Sequence, residues 1–477
     1  MTCTNTAHIG NVCVLGIGKT GEAACRYLSG LMPGRVDSVT LFGGVNSRES
    51  EQTRALGAAG VRCVLGTEEV EGEFDLAVVS PGIPETSAFY RAAAACSAEV
   101  ISEVELAFRE SPANWLAVTG TNGKTTTTSL TTHLLSEAGL SAESVGNIGV
   151  LCIEEAASRP YDGWFVTELS SFQLASSPTL RPHAAVLLNV TPDHIEWHGS
   201  MEAYAAAKEK VFANMGTGDL AVVSVDDDWC RDVAVRCSGR GLRVCELSVE
   251  RELGGPDAAF ERGGRLVVRL SGVEHDICSV DDLRIRGSHN WENALAASAL
   301  ALFMGIDAEK IASGLATFSP IEHRIEPCGE AAGIHFVNDS KATNTDSVEK
   351  ALTAFDAGTV VVLLGGHDKG TDLASLSRAC CARARVAVCF GEAGPRMAAS
   401  LKDEAAASGS ALEIVCADHL RDAFAAACAE AREGDTVLLS PACSSFDEFS
   451  NMAERGRLFK SLATDYCRAH DASGAGE

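Results

Sequence analysis

Short, almost wholly apolar runs recur along the chain, most of them closed by a glycine or proline turn and followed by a stretch of helical character. Residues 11–15, 38–42 and 75–79 are such runs near the N-terminus. Residues 115–118, 164–169, 184–190 and 220–225 follow in the middle, and 334–338, 359–364, 385–390 and 436–439 toward the C-terminus. Runs that are apolar throughout, rather than alternating, predict strands buried on both faces of parallel sheets. Between them Leu130, Leu134 and Leu135 supply an apolar helix face, with Gly139 as its stop. Strand alternating with helix predicts an α/β fold.

One helical stretch carries an anomaly. Met201, Tyr204, Ala205, Lys208, Val211 and Phe212 fall on a single face at helical spacing. Lys208 therefore points inward, while Lys210 lies roughly 160–200° around the axis. An inward lysine either buries its stem and lets its ammonium reach water, or it is there for its amine. The pattern leaves both open.

The chain has 477 residues, room for roughly three domains of ~150. They are read as segments at about 1–112, 113–320 and 321–477, and a three-domain build suggests hinges near 112 and 320. A net charge of −26, from 39 basic and 65 acidic residues, argues against a nucleic-acid partner. No apolar run approaches the ~20 residues that span a membrane. The first ten residues lack the charged and apolar regions of a secretion signal, so a cytoplasmic protein is expected. The 18 cysteines are scattered without a C-x-x-C pair, which suits small buried residues in a reducing compartment.

The chemistry begins at Gly120-Thr121-Asn122-Gly123-Lys124-Thr125-Thr126, between an apolar run and a helix. A glycine turn there exposes backbone N–H groups at a helix N-terminus and forms a seat for phosphate. Lys124 adds a positive charge and the Thr125 hydroxyl can reach Mg²⁺. The loop, G-x-x-G-K-T, is two residues shorter than the Walker pattern G-x-x-x-x-G-K-[ST]. A second glycine turn, Gly16-Ile17-Gly18-Lys19-Thr20-Gly21, follows the first apolar run. An NAD site would need a carboxylate after residues 38–42, where Phe42-Gly43-Gly44 offers none. Ser80, Pro81 and Gly82 lie where ligands bind in open α/β sheets. Asn147 sits in a tight turn. Glu168 ends an apolar run, a usual place for a Mg²⁺ ligand. His194 and His198 are four apart, but zinc spacing is incomplete. Asn290 and Asn293 share a helix face. Arg324 could meet phosphate. Asp339, Lys341 and Thr343 would project to one side of an extended chain. Ser445-x-x-Glu448 reads as a capping box at a helix start.

These stretches together resemble the Mur ligase family, ATP-dependent amide ligases of peptidoglycan precursor assembly. The loop GTNGKT is shared widely in that family. ELSSFQL (168–174), HNWENALAA (289–297), NDSKATN (338–344) and SPACSSFDEF (440–449) are similar to its D-glutamate-adding branch. The resemblance covers essentially the whole chain. It implies a Rossmann-like N-terminal domain for the UDP-substrate, a central P-loop-type ATPase domain and a Rossmann-like C-terminal domain for the amino acid. It implies that ATP activates the alanyl carboxylate of UDP-N-acetylmuramoyl-L-alanine as an acyl phosphate, which the D-glutamate amine attacks, a cytoplasmic step serving cell-wall biogenesis, cell shape and cell division.

By this resemblance Gly120, Thr121, Asn122, Gly123, Lys124, Thr125, Thr126, Asn290, Asn293, Arg324, Asp339 and Lys341 serve ATP. Gly18, Lys19, Thr20, Ser80, Pro81, Gly82 and Asn147 hold the UDP-substrate, and Thr343, Lys369, Ser445 and Phe446 the D-glutamate. Thr125, Glu168, His194 and Lys208 serve two Mg²⁺ ions, Lys208 as a carbamate derived from CO₂. Lys124, His194 and Lys208 form the catalytic set. A monomer without nucleic-acid or membrane partners is expected. The chain departs from the family at Phe42-Gly43, where an acidic residue near the uridine is common.

Overall fold

The computed structural model describes residues 6–319, 321–368 and 370–471. The chain forms two compact units, residues 1–282 with 292–316, and residues 283–291 with 317–477.

The first unit contains two sheets. Its N-terminal sheet has β1 (Gly10–Leu15), β2 (Val36–Phe42), β3 (Arg62–Val64), β4 (Leu76–Val79) and β5 (Val100–Ser102) in the order β3-β2-β1-β4-β5. All neighbours are parallel. The order reverses between β1 and β4, so the turns after these two strands flank the crevice where such sheets take ligands. Every residue of β4 is buried, as its unbroken apolar run requires.

The second sheet has nine strands: β6 (Trp115–Thr119), β7 (Ala142–Gly146), β8 (Trp164–Glu168), β9 (Ala184–Leu187), β10 (Leu220–Ser224), β11 (Arg243–Ser248), β12 (Ala258–Arg262), β13 (Arg265–Leu270) and β14 (Val273–Ser279). The order is β14-β13-β12-β11-β10-β9-β6-β8-β7, parallel from β7 to β12 and closed by an antiparallel meander. β6 is central, between β8 and β9, which puts its following loop among those of both neighbours.

The second unit holds β15 (Glu326–Ala331), β16 (Ile334–Asn338), β17 (Val360–Gly365), β18 (Ala384–Phe390), β19 (Glu413–Cys416) and β20 (Thr436–Ala442) in the order β15-β16-β20-β17-β18-β19. Only β15 runs antiparallel. The loops after β16, β20 and β17 thus emerge side by side. Among the described residues no helix is long and apolar enough to cross a membrane.

The expected hinge near residue 112 is not a division between the compact units. One hydrophobic cluster runs from Val12, Val14 and Leu28 through Trp115, Phe165 and Phe260. Residues 111–114, which lead into β6, are gripped by Arg159. Its guanidinium donates to the carbonyls of Ser111 (2.9 Å), Ala113 (2.6 Å) and Asn114 (3.2 Å) and stacks 4.1 Å from the Phe165 ring centroid. Glu105, fully buried, accepts the backbone N–H groups of Thr179 and Leu180. The Arg159 bonds tie residues 111–114 to the rest of the first unit.

Glu103 makes a comparable tie, its Oε1 accepting the Ile153 N–H (2.6 Å) at the start of the short helix Cys152–Ala156. Burial pushes this carboxyl up from 4.5 to about 7. A carboxyl with a higher pKa folded than unfolded holds more protons in the folded state between those values, so stability falls as pH rises from about 4.5 to about 7. Glu103→Gln keeps the acceptor and removes the ionisation. Denaturant unfolding should therefore show the variant gaining about 3 kcal/mol relative to wild type between pH 4 and pH 8. An identical difference at the two pH values would show that Glu103 has the same pKa in the folded and unfolded protein.

Candidate active site

The loop after β6 is shaped by two glycines at positive φ, Gly120 (φ 155°) and Gly123 (φ 83°). A Cβ at Gly123 would stand 2.5 Å from Asn293 Oδ1, so only glycine fits. The helix Lys124–Glu137 starts immediately after it. Its threonine run has poor intrinsic helix preference, and tertiary burial sustains it: Thr125, Thr126, Thr127 and Thr128 are all buried.

Two ammonium groups converge on this loop. Lys124 Nζ donates to the carbonyls of Gly120 (2.9 Å) and Thr121 (2.7 Å), and Lys208 Nζ donates to Gly120 O (2.7 Å). Lys208 is 2 % exposed, on the helix Met201–Glu209, with its amine 4.6 Å from the Tyr204 ring centroid. Burial, and then the charge of Lys124, drives its pKa well below that of an ordinary lysine, against the opposing pull of Asp193, Cys230 and Glu168. The inward face read from the sequence is thus real, and the ammonium does not reach water. Lys210 is exposed and bonds only the Ala175 carbonyl in the described contacts (2.6 Å).

Glu168, at the end of β8, is 2 % exposed. Its Oε1 accepts the Asn147 amide (2.8 Å), while Oε2 is buried with no hydrogen-bond partner among the described residues. Asn147, expected with the UDP-substrate, therefore stands beside the expected metal ligand. His194 is left-handed (φ 53°), starts the one-turn helix Ile195–His198 and lies 4.8 Å from the Phe172 ring, 3.5 Å from Asp193 Oδ2. His198 Nε2 meets Ser171 Oγ (2.9 Å). Burial and nearby Lys208 lower His198 to about 4, so it is neutral near pH 7.

Around the N-terminal glycine turn, Gly18 caps the helix Lys19–Ser29 and Thr20 lies in its first turn. Ser80 donates its N–H to Leu15 O (3.1 Å), and its Oγ is buried without a partner among the described residues. Gly18, Lys19 and Thr20 follow β1, and Ser80, Pro81 and Gly82 follow β4, on the two sides of the switch-point crevice.

The remaining nucleotide candidates are divided between the units. Asn293 belongs to the first, where its Oδ1 accepts the Thr127 hydroxyl (3.0 Å). Asn290 belongs to the second, with its amide on Arg286 O (2.7 Å). Arg324 is flanked by two left-handed residues, His323 (φ 66°) and Ile325 (φ 41°), a strained setting that fixes where it points from. Asp339 is buried. Its Oδ2 accepts the Ser440 hydroxyl (2.7 Å), and burial pushes its carboxyl up to about 7.

Two local expectations fail. Asp339, Lys341 and Thr343 do not share one side of an extended chain, because Ala342 N–H closes a turn onto Asp339 O (2.9 Å) and leaves Asp339 buried and Lys341 exposed. Ser445 does not cap a helix. The N–H groups of Glu448 and Phe449 turn back to its carbonyl, and the helix starts at Met452 with Asn451 Oδ1 accepting the Glu454 N–H (3.0 Å). Ser445 is nonetheless buried, beside Phe446 at 70 % exposure. Lys369 lies outside the described residues.

Three groups escaped the sequence reading. Asn189 clamps the glycine loop, its Oδ1 accepting the Asn122 N–H (2.8 Å) and its carbonyl the Thr121 N–H (2.9 Å). A lone amide closing the apolar run 184–190 was the available signal. Tyr204 brings its hydroxyl to Thr121 Oγ1 (3.0 Å), and only its inward face hinted at this. Arg455, buried in the second unit, had no signal at all.

The loop geometry yields a direct test. Gly123→Ala places a Cβ against Asn293 at an unfavourable positive φ, so binding of a fluorescent ATP analogue should weaken at least about ten-fold, with the melting temperature lowered by a few degrees. Unaltered binding would mean that this loop does not cradle the phosphates.

Comparison with known proteins agrees with these features. Residues 118–301 match the family model of the Mur ligase middle domain, and residues 323–443 match that of the Mur ligase glutamate ligase domain. A UDP-N-acetylmuramoylalanine–D-glutamate ligase of Pelotomaculum thermopropionicum is 40 % identical over 453 residues, covering 94 % of this chain and 96 % of that protein. One from Geobacter metallireducens is 37 % identical, covering 98 % of each. Among solved structures, MurF of Acinetobacter baumannii aligns with a TM-score of 0.61 at 16 % identity, over 95 % of this chain and 93 % of that one. The UDP-N-acetylmuramate–alanine ligase of Thermotoga maritima gives 0.57 at 20 %, over 96 % and 100 %. At such identities the structures speak for the fold, the expected α/β architecture with Rossmann-like ends and a central ATPase domain. With relatives this similar over nearly its whole length, the chain belongs to the Mur ligase family.

Proposed function

We propose that the protein is an ATP-dependent amide ligase that joins D-glutamate to UDP-N-acetylmuramoyl-L-alanine, in three domains at 1–112, 113–320 and 321–477. The observation that carries this reading is the convergence of Lys124 and Lys208 on Gly120 O beside a buried Glu168 oxygen that has no hydrogen-bond partner among the described residues. A phosphate-binding loop flanked by a poised carboxylate suits phosphoryl transfer, in which positioning and charge neutralisation do most of the work. Relatives that bear the D-glutamate ligase name, 40 % and 37 % identical, support the choice of substrates.

In this reading ATP phosphorylates the alanyl carboxylate. The D-glutamate amine attacks the acyl phosphate, and loss of phosphate leaves the amide. Lys124 neutralises phosphate oxygens, with the loop N–H groups at the start of its helix. The crevice between β1 and β4, with the orphaned Ser80 hydroxyl, takes the UDP-substrate. Thr343, Ser445 and Phe446 hold D-glutamate, Ser445 as a buried hydroxyl in a turn. The reaction is placed in the cytoplasm.

The donor set fits Mg²⁺ on one condition. The Glu168 carboxylate and the Thr125 hydroxyl are hard oxygen ligands of the kind Mg²⁺ prefers, and His194 would join them. A Lys208 ammonium would repel the ion. Its depressed pKa leaves the amine nucleophilic, and addition of CO₂ with loss of a proton turns it into an anionic carbamate. Mg²⁺, when bound, would neutralise charge on the transferring phosphoryl group.

Incubating the protein with ATP, Mg²⁺, UDP-N-acetylmuramoyl-L-alanine and a panel of amino acids should release phosphate with D-glutamate alone. Release with a different amino acid would move the protein to another branch of the family, and ATP binding without release would make it a sensor. Lys208→Ala should reduce turnover by at least about a hundred-fold with melting unchanged, and short carboxylic acids should partly restore it. Lys210→Ala should retain wild-type turnover. Full activity in Lys208→Ala would exclude the carbamate.

A further inference from the structure

In the second unit a fully buried guanidinium lies where three loops meet. Arg455, on the helix Met452–Asp471, has no exposure. Its Nε donates to Ser340 Oγ (3.0 Å), its Nη2 to Ser340 O (2.9 Å) and Cys443 O (3.0 Å), and its Nη1 to Ser444 O (3.3 Å). All four bonds go to carbonyl or hydroxyl oxygens rather than to a carboxylate. Burying a charge in this way costs several kcal/mol unless its donors are well satisfied. The planar guanidinium is the side chain that can spread donors over two segments at once.

The segments it joins are those that carry different substrates in the proposed function. Ser340 lies between Asp339 and Lys341, both assigned to the nucleotide, in the loop after β16 that also carries Thr343 of the D-glutamate set. Cys443 and Ser444 precede Ser445 and Phe446, in the loop after β20 assigned to D-glutamate. The same two loops are tied again by Ser440 Oγ to Asp339 Oδ2 (2.7 Å) and by Ala442 N–H to Ala342 O (3.0 Å). Ser340 Oγ in turn donates to Met452 O (2.7 Å), fixing the pair to the start of the helix that carries Arg455.

The loop after β17 closes the group. His367 N–H bonds Ser444 O (2.9 Å). Gly366 has φ 130°, and a Cβ there would stand 2.3 Å from Ser444 O and 3.0 Å from Arg455 Nη1. Ala442, at the exit of β20, is held left-handed at φ 62°. Strain of this kind persists only where the surroundings over-determine the backbone, and here Arg455 grips the carbonyls just beyond it.

We propose that Arg455 is a positioning residue that makes the nucleotide loop and the D-glutamate loop one mechanical element, so that occupancy of one sets the geometry of the other. This rests on the assignment of those loops under the proposed function. The phosphate-release panel with wild-type protein tests that assignment separately.

Two variants test the coupling. Arg455→Met keeps length without donors. Arg455→Lys keeps charge but offers its donors from one point, and so cannot bridge both loops. In Arg455→Met the KM values for D-glutamate and for ATP should each rise at least about ten-fold, while that for UDP-N-acetylmuramoyl-L-alanine stays within about two-fold. Arg455→Lys should show the same pattern at reduced size. If Arg455→Met does not melt cooperatively, Arg455→Lys is read in its place.

Hydrogen exchange supplies a readout that needs no D-glutamate turnover. A non-hydrolysable ATP analogue should slow exchange of the backbone amides of residues 440–446 (Pro441 has none) in wild type and not in the variants. Equal nucleotide protection in wild type and variant overturns the proposal. So does a parallel rise of all three KM values, a rise for D-glutamate alone, or a loss of melting temperature with every KM unchanged.

Discussion

Lys208 meets the Gly120 carbonyl inside the protein, and much of the first unit is arranged so that this contact can exist. A buried ammonium needs an acceptor that water would otherwise supply. The acceptor is a backbone oxygen made available by a glycine at φ 155°, where the chain turns out of β6. That turn is steadied from the side by Asn189, from below by Tyr204 acting on Thr121, and from behind by Asn293 against Gly123. Lys124 shares the same carbonyl, and its charge adds to burial in lowering the proton affinity of Lys208. Like charges held together in this way are costly, and they suit a place where negative charge is to be received.

The second unit solves a similar problem with a different cation. Arg455 is buried as completely as Lys208 and likewise bonds backbone oxygens. The difference lies in shape. The lysine is a point charge whose state burial can change, which suits chemistry at the amine itself. The guanidinium is planar and stays charged, which suits cross-linking of loops. In both units a parallel sheet brings strand ends together, and a helix packed behind them delivers a cation to the carbonyls that emerge there.

Much of this was legible in the residues. Unbroken apolar runs became the buried parallel strands, and the bounds agree to within a few residues, as for 436–439 inside β20. The face containing Lys208 was set by helical spacing, and its burial followed. The failures were local. Ser445 and Glu448 have the spacing of a capping box, but the backbone closes a turn onto Ser445 O, and the helix waits for Asn451. Asp339 was read as one of a row along an extended chain, yet a turn hides it and exposes Lys341. Capping and turn signals are short and compete with one another, so the surrounding packing decides between them.

What the sequence determined by itself was the fold class, the positions of the strands, the glycine loop and the inward lysine, because these depend on periodicity and on the backbone freedom of single residues. What only the tertiary structure decided was which polar groups face one another. It placed Asn147 on Glu168, Asn189 on the loop, Ser440 on Asp339 and Arg455 across two loops more than a hundred residues apart in sequence. These are contacts between residues distant along the chain. No local pattern encodes them, since a hydrogen bond depends on where two atoms finish and not on the spacing of the residues that carry them.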